Sequence, residues 1–160
     1  CGNHEDMLES FLASPRFEPH WLVYGGDATL ASYGIDSDEA FHSDGTGARL
    51  RKLILETVPA AHLDFVTRTP ICLEVGSLLF VHAGIQPGLS LDRQIDQDLM
   101  WIREPFLSFG PGLDLTVIHG HTPVAEPDFG PARIGIDTGA FMTGRLTVLR
   151  LADGAASIVE

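Results

Sequence analysis

The sequence predicts a mixed α/β domain in which strands layer against helices. Three observations carry that class. Apolar residues in the first part of the chain recur at helical spacing. After Pro70 the pattern changes to short apolar runs bounded by glycine and proline, and the two patterns then interleave. At 160 residues, with 44% hydrophobic and 20% charged residues, the chain has the composition of one ordinary globular domain with a sizeable core.

The elements follow in order. Residues 5–13 (EDMLESFLA) place Met7, Leu8, Phe11 and Leu12 on one helical face. Glu5 and Asp6 fall in the first turn, where the helix dipole favours negative charge, and Ser14-Pro15 ends the helix. Trp21-Leu22-Val23 leads into a turn at Gly25-Gly26, and residues 32–47, rich in Asp, Ser and Gly, read as an exposed loop. Residues 48–58 (ARLRKLILETV) form an amphipathic helix with Leu50, Leu53, Ile54 and Val58 on one face. Pro59 restarts a shorter helix over 60–67. Residues 71–75 and 78–82 read as two strands joined by a tight Gly76-Ser77 turn. A helix is expected over 91–101, a buried strand over 115–119, and two more strands over 132–137 and 145–151. Gly144 lies in the turn between those two, and 156–159 adds an edge strand. Cys72, on the first of these strands, reads as an inert buried hydrophobe.

Charge and cysteine content exclude several functions. Ten Lys and Arg against 22 Asp and Glu give a net charge of −12, which argues against a nucleic-acid or anionic-membrane binder. A phosphate site must then gain positive potential locally, from a metal or an arginine. Two cysteines and no secretory segment suit the reducing cytoplasm, and no apolar run approaches the length of a membrane span.

Three short stretches concentrate the chemistry: Gly2-Asn3-His4-Glu5, Val81-His82-Ala83-Gly84 and His119-Gly120-His121-Thr122-Pro123. In the last two an apolar strand runs directly into a histidine, which puts the imidazole at the carboxyl end of a strand, where α/β folds build their sites. Glycine beside each histidine permits close approach. Imidazole nitrogen and amide oxygen both ligate first-row transition ions, so Asn3, His82 and His121 form a candidate neutral ligand set. Taken singly, an Asn-His pair at a helix start is ordinarily a cap, and each histidine could be a satisfied core residue. Their shared placement favours ligation. A divalent ion also wants a carboxylate, and none in these stretches is suitably placed. His119 alternates with Ile118 and reads as a supporting or packing residue. Asp137 reads as a turn former, and His20, His42 and His62 as exposed or loop residues.

With these motifs in hand, GNHE (2–5), FVHAG (80–84), WIRE (101–104), HGHTP (119–123) and IDTGA (136–140), the chain resembles the metallophosphoesterase superfamily. Within it, the resemblance is to the bacterial serine/threonine phosphoprotein phosphatase (calcineurin-like) branch. It runs from Gly2 to about Leu151. It implies a layered calcineurin-like β-sandwich flanked by helices, as a single domain over 1–160 without its N-terminal segment. It also implies two divalent metal ions, with manganese expected and iron or zinc compatible. Asn3, His82 and His121 then look like ligands of one metal, His4 like the general acid, and Arg103 like a phosphate-binding arginine. The family's G-D-x-H-G and G-D-x-x-D-R-G motifs, which hold the second metal and the bridging and orienting aspartates, have no counterpart here.

The activity implied is metal-dependent hydrolysis of phosphomonoesters on phosphoserine and phosphothreonine, with a phosphorylated protein or a small phosphoester as substrate. The runner-up is a symmetrical diadenosine tetraphosphate hydrolase. A third reading, from the missing motifs, is a non-catalytic remnant of the fold.

Overall fold

A computed structural model describes residues 1–14, 20–43, 46–130 and 132–159. They form two compact units, one of Cys1 and Asn3–Thr69, the other of Gly2 and Pro70–Glu160.

The first unit is helical. Its opening helix α1 (Asn3–Ala13) begins two residues before the periodicity predicts and carries Glu5 and Asp6 in its first turn. Ser14 closes it; Pro15, the other half of the expected stop, lies outside the described residues. The expected turn at Gly25-Gly26 is a kink at the end of a helical segment, Leu22–Gly26. Tyr24 leaves helical geometry and Gly25 takes φ +100°, which glycine adopts without a Cβ penalty. Helix α2 (Asp27–Ser32) follows directly.

The expected loop over 32–47 contains a helix, α3 (Ser37–His42), and the loop reading is corrected there. The Asp36 side chain accepts the Glu39 N–H at 3.1 Å, the capping bond that starts it. The polar composition hid an N-cap signal; Asp44 and Gly45 of the same stretch lie outside the described residues. Helices α4 (Ala48–Thr57) and α5 (Ala60–Arg68) match expectation. The apolar stripe of α4 enters the core, with Leu50 and Ile54 fully buried beside Phe11, Trp21, Leu30 and Val58.

The second unit is built on a five-stranded mixed sheet. Strands β1 (Cys72–Val75) and β2 (Leu78–Val81) form the predicted antiparallel hairpin. The helix expected over 91–101 is broken into a single tight turn, Leu91–Arg93, and α6 (Asp96–Trp101), with extended backbone at Gln94 and Ile95 between them. Gln94 explains the break: its side-chain amide donates to the carbonyls of Gln86 and Leu89 and accepts from the Gln86 N–H. A short helix α7 (Phe106–Phe109) was not signalled by periodicity. Strand β3 (Thr116–His119) is buried as predicted. The expected strand over 132–137 is the shorter β5 (Arg133–Gly135), paired antiparallel with the two-residue β4 (Asp128–Phe129).

Sheet order is β1-β2-β3-β5-β4, with β2, β3 and β5 mutually parallel. Helix α8 (Ala140–Thr143) then leads to the separate hairpin β6 (Val148–Ala152) and β7 (Ala155–Val159). The core of this unit joins Leu79, Val81 and Val117 from the sheet to Leu99, Ile102 and Phe106 from the segments around it. One burial expectation fails: Cys72 is exposed, because β1 is an edge strand with all four residues open to solvent. Among the described residues no helix is long and apolar enough to cross a membrane.

Burial ranks the consequences of truncation. Ile54→Ala is expected to cost about 2–5 kcal/mol in chemical denaturation. Phe65→Ala, at a side chain 74% exposed, is expected to cost about 0.5 kcal/mol or less.

Candidate functional site

Strands β2 and β3 are parallel neighbours, with Phe80 opposite Ile118. Each runs on into a histidine segment at the same end of the sheet. The Gly120 N–H donates to the His82 carbonyl at 2.8 Å, extending the ladder one step past both strands. Two imidazoles therefore meet. His82 Nε2 and His121 Nδ1 stand 3.1 Å apart, with ring centroids 5.0 Å apart and ring planes inclined by 64°. The Trp101 ring lies edge-on to His121 at 6.0 Å.

Glycines make the room. Gly2, one peptide bond before Asn3, approaches so closely that a Cβ there would stand 2.6 Å from His82 Nδ1. Gly84 (φ +156°) faces the Phe106 ring, which a Cβ at that position would strike. The Ala83 N–H donates to the Leu99 carbonyl at 2.9 Å, fixing the His82 turn against the start of α6's last turn.

The electrostatics keep His121 neutral. Burial pushes its pKa down first, then the Arg103 guanidinium and then His82. The backbone at Trp101 and the Asp137 carboxylate oppose them, and the balance lies at about 4. His119 is also pushed down, mainly by burial, with the Arg133 guanidinium adding to it and a hydrogen bond to Gly120 and the Asp128 charge opposing.

The predicted site residues distribute as follows. His82, His121 and Arg103 are all in the second unit, and Arg103 is near enough to act on His121 electrostatically. Its guanidinium is exposed and, among the described residues, has no ion-pair partner in Glu104 or Asp98. Asn3 and His4 belong to the first unit, where they open α1; Asn3 is buried and His4 exposed. Asp137 is the expected turn former, its Oδ1 accepting from the Gly139 N–H at 2.9 Å. His42 and His62 are exposed, as is His20.

Three residues escaped the sequence reading. Arg133 and Asp128 form an ion pair at 2.7 Å beside His119; an Asp and an Arg on short flanking strands were the only signal. Thr122 carries a buried hydroxyl without a hydrogen-bond partner among the described residues.

The donor set fits half of a transition-metal site. Two nitrogens about 2.1 Å from one ion, at right or tetrahedral angles, stand about 3.0–3.4 Å apart, and His82 and His121 present theirs at 3.1 Å. Neutral imidazole is the ligating form. Among the described residues, however, no group of three or more His, Cys, Asp or Glu side chains could hold a metal ion. Of the candidate ligands, the second unit supplies two, His82 and His121.

No protein-family model matches the chain. Curated relatives do. The bis(5'-nucleosyl)-tetraphosphatase PrpE, asymmetrical, of Anoxybacillus flavithermus is 26% identical over 164 residues, covering 93% of this chain and 60% of that protein. The protein of the same name from Bacillus anthracis is 56% identical over 166 residues, with the same coverage. The chain thus spans about 60% of the length of these relatives. A crystal structure described as a candidate diadenosine tetraphosphatase superposes with a TM-score of 0.52 at 21% identity, over 69% of this chain and 61% of that one. That likeness shows the fold: a mixed α/β arrangement with a mixed sheet flanked by helices.

The depressed His121 pKa has a measurable sign. His121 is expected to titrate near pH 4 in a proton-detected NMR series, against 6.5 for a free imidazole. Below 6.5 the unfolded chain takes up this proton before the folded one does. The contribution of His121 to stability is therefore complete above about pH 6.5 and is lost as the pH falls toward 4.

Proposed function

We propose that this chain is part of a calcineurin-like metallophosphoesterase, and that the enzyme hydrolyses dinucleoside tetraphosphates. The observation that carries the reading is the convergence of the His82 and His121 nitrogens at the ends of adjacent parallel strands, with the Arg103 charge acting on the same point. The names of the relatives supply the substrate: they are tetraphosphatases, not protein phosphatases. Asymmetrical cleavage of a four-phosphate chain leaves a nucleoside triphosphate and a nucleoside monophosphate. The symmetrical cleavage considered from the sequence would leave two diphosphates.

In this reading Asn3, His82 and His121 are ligands of one divalent ion, manganese by preference and iron or zinc by chemistry. A pair of such ions, when bound, supplies an activated water and neutralises charge that develops on the phosphoryl oxygens. The chain's own residues do the rest. The Arg103 fork donates to two phosphate oxygens at once and stabilises the spreading charge. In a chain of net charge −12 this local cation offsets a field that repels phosphate. His4 gives its proton to the oxygen that leaves.

The test is a turnover assay of the chain with manganese, offering a dinucleoside tetraphosphate, a phosphoserine peptide and p-nitrophenyl phosphate, with products separated by chromatography. Unequal nucleotide products support the proposal. Faster turnover of the peptide returns the choice to a protein phosphatase. No turnover, joined to weak or single-ion manganese binding in calorimetry, supports the non-catalytic reading. Where turnover is seen, Arg103→Lys is expected to lower kcat/KM on the order of 10²-fold, because an ammonium cannot make the paired contact.

A further inference from the structure

His121 occupies a backbone conformation that side chains rarely adopt. Its φ is +62°, in the left-handed region that a Cβ disfavours. The Thr122 N–H donates to the Gly120 carbonyl at 2.7 Å, closing a three-residue γ-turn around it. Turns of this kind with positive φ are rare and strained. Such strain persists only where the surroundings over-determine it.

The surroundings can be named. The Gly120 N–H is tied to the His82 carbonyl, and the His119 carbonyl accepts the Ile136 N–H at 2.9 Å. The Gly120 carbonyl itself has a second partner: His119 Nδ1, at 3.2 Å. A carbonyl only accepts, so Nδ1 carries the hydrogen. The lone pair then sits on Nε2, which faces Arg133 Nη1 at 3.5 Å. That same Nη1 is 2.7 Å from Asp128 Oδ2. The ring has little freedom. His119 is 3% exposed, the Phe106 ring stands edge-on to it with centroids 5.0 Å apart, and a Cβ at Gly135 would touch its Cε1 and Nε2 at 3.4 Å.

We propose that His119 is a positioning residue: through the Gly120 carbonyl it holds the strained turn that presents His121, while Arg133 and Asp128 fix its ring in the Nδ1–H tautomer. Only the consequence for metal binding rests on the function proposed above; the hold on the turn does not.

The experiment uses the whole chain, labelled with 15N. Long-range proton–nitrogen correlation of the histidine rings is expected to show His119 with hydrogen on Nδ1 and a bare Nε2. Amide exchange is expected to show Thr122 protected. Two variants separate donor from bulk. His119→Asn keeps an N–H donor near the position of Nδ1, and His119→Leu removes it; both lose the ring contact with Phe106 and should lower Tm alike. Thr122 exchange is expected to rise at least tenfold in the leucine variant and to stay near the wild-type rate in the asparagine variant. Calorimetry with manganese alone is expected to show affinity about 10–100-fold weaker in the leucine variant, the usual range when a group supporting a ligand is lost.

A His119 ring with hydrogen on Nε2 overturns the proposal, as does a leucine variant with unchanged Thr122 protection. If the leucine variant does not fold, Arg133→Met is the substitute. It is expected to admit the Nε2–H tautomer, and an unchanged tautomer there overturns the role of Arg133. If wild-type chain binds no manganese while the tautomer and exchange results hold, the positioning role stands and the metal reading above fails.

Discussion

The parallel pairing of β2 with β3 is the constraint on which the second unit depends. The register that sets Phe80 beside Ile118 brings two strands to an end together, so the segments that follow must share one small region. The bond from the Gly120 N–H to the His82 carbonyl carries the ladder beyond the last strand residues. A slip of one residue in either strand would reverse which side chains face the core. It would expose Leu79 and Val117, both now fully buried, and separate the two imidazoles. Burial of the sheet core and placement of the histidines are therefore the same event. The hydrophobic pattern sets the register, and the register sets the site.

Much of this was legible in the amino acids. An apolar run that ends in histidine and glycine announces a strand end, and both Val81-His82 and Ile118-His119 are such runs. The stripe of α4 announced itself equally well, since Leu50 and Ile54 are the positions that end fully buried. What could not be read was long-range. Nothing local says that β1 is an edge strand, so Cys72 looked buried when it is open. Nothing local pairs Asp128 with Arg133, because a two-residue strand has no period. Helix α3 was legible in principle: Asp36 followed three positions later by Glu39 is a capping signal, masked by the surrounding Ser, Asp and Gly.

The turn at His121 was not legible at all. A left-handed residue is ordinarily glycine, and here the glycine precedes the histidine by one position and has no positive φ of its own. The conformation follows from bonds made by the Gly120 peptide on both sides, its N–H to β2's extension and its carbonyl to Thr122 and His119. Such a peptide is held from three directions at once. Sequence spacing describes the residues but not the partners that share one carbonyl.

The charges around His121 decide what the pair of imidazoles attracts. A proton and a metal ion compete for the same lone pair. With its pKa held at about 4, His121 leaves that lone pair open at neutral pH. Burial does most of this, and the Arg103 guanidinium that adds to it also repels a bare cation. Two imidazoles beside a fixed positive charge thus make a weaker site for a lone divalent ion than the same pair without that charge. They make a better one once a carboxylate or a phosphate oxygen joins the coordination, since that anion offsets the ion's charge and pairs with Arg103 at the same time. The field at this end of the sheet favours an anion and a cation arriving as partners over either alone, in a protein of strongly negative net charge.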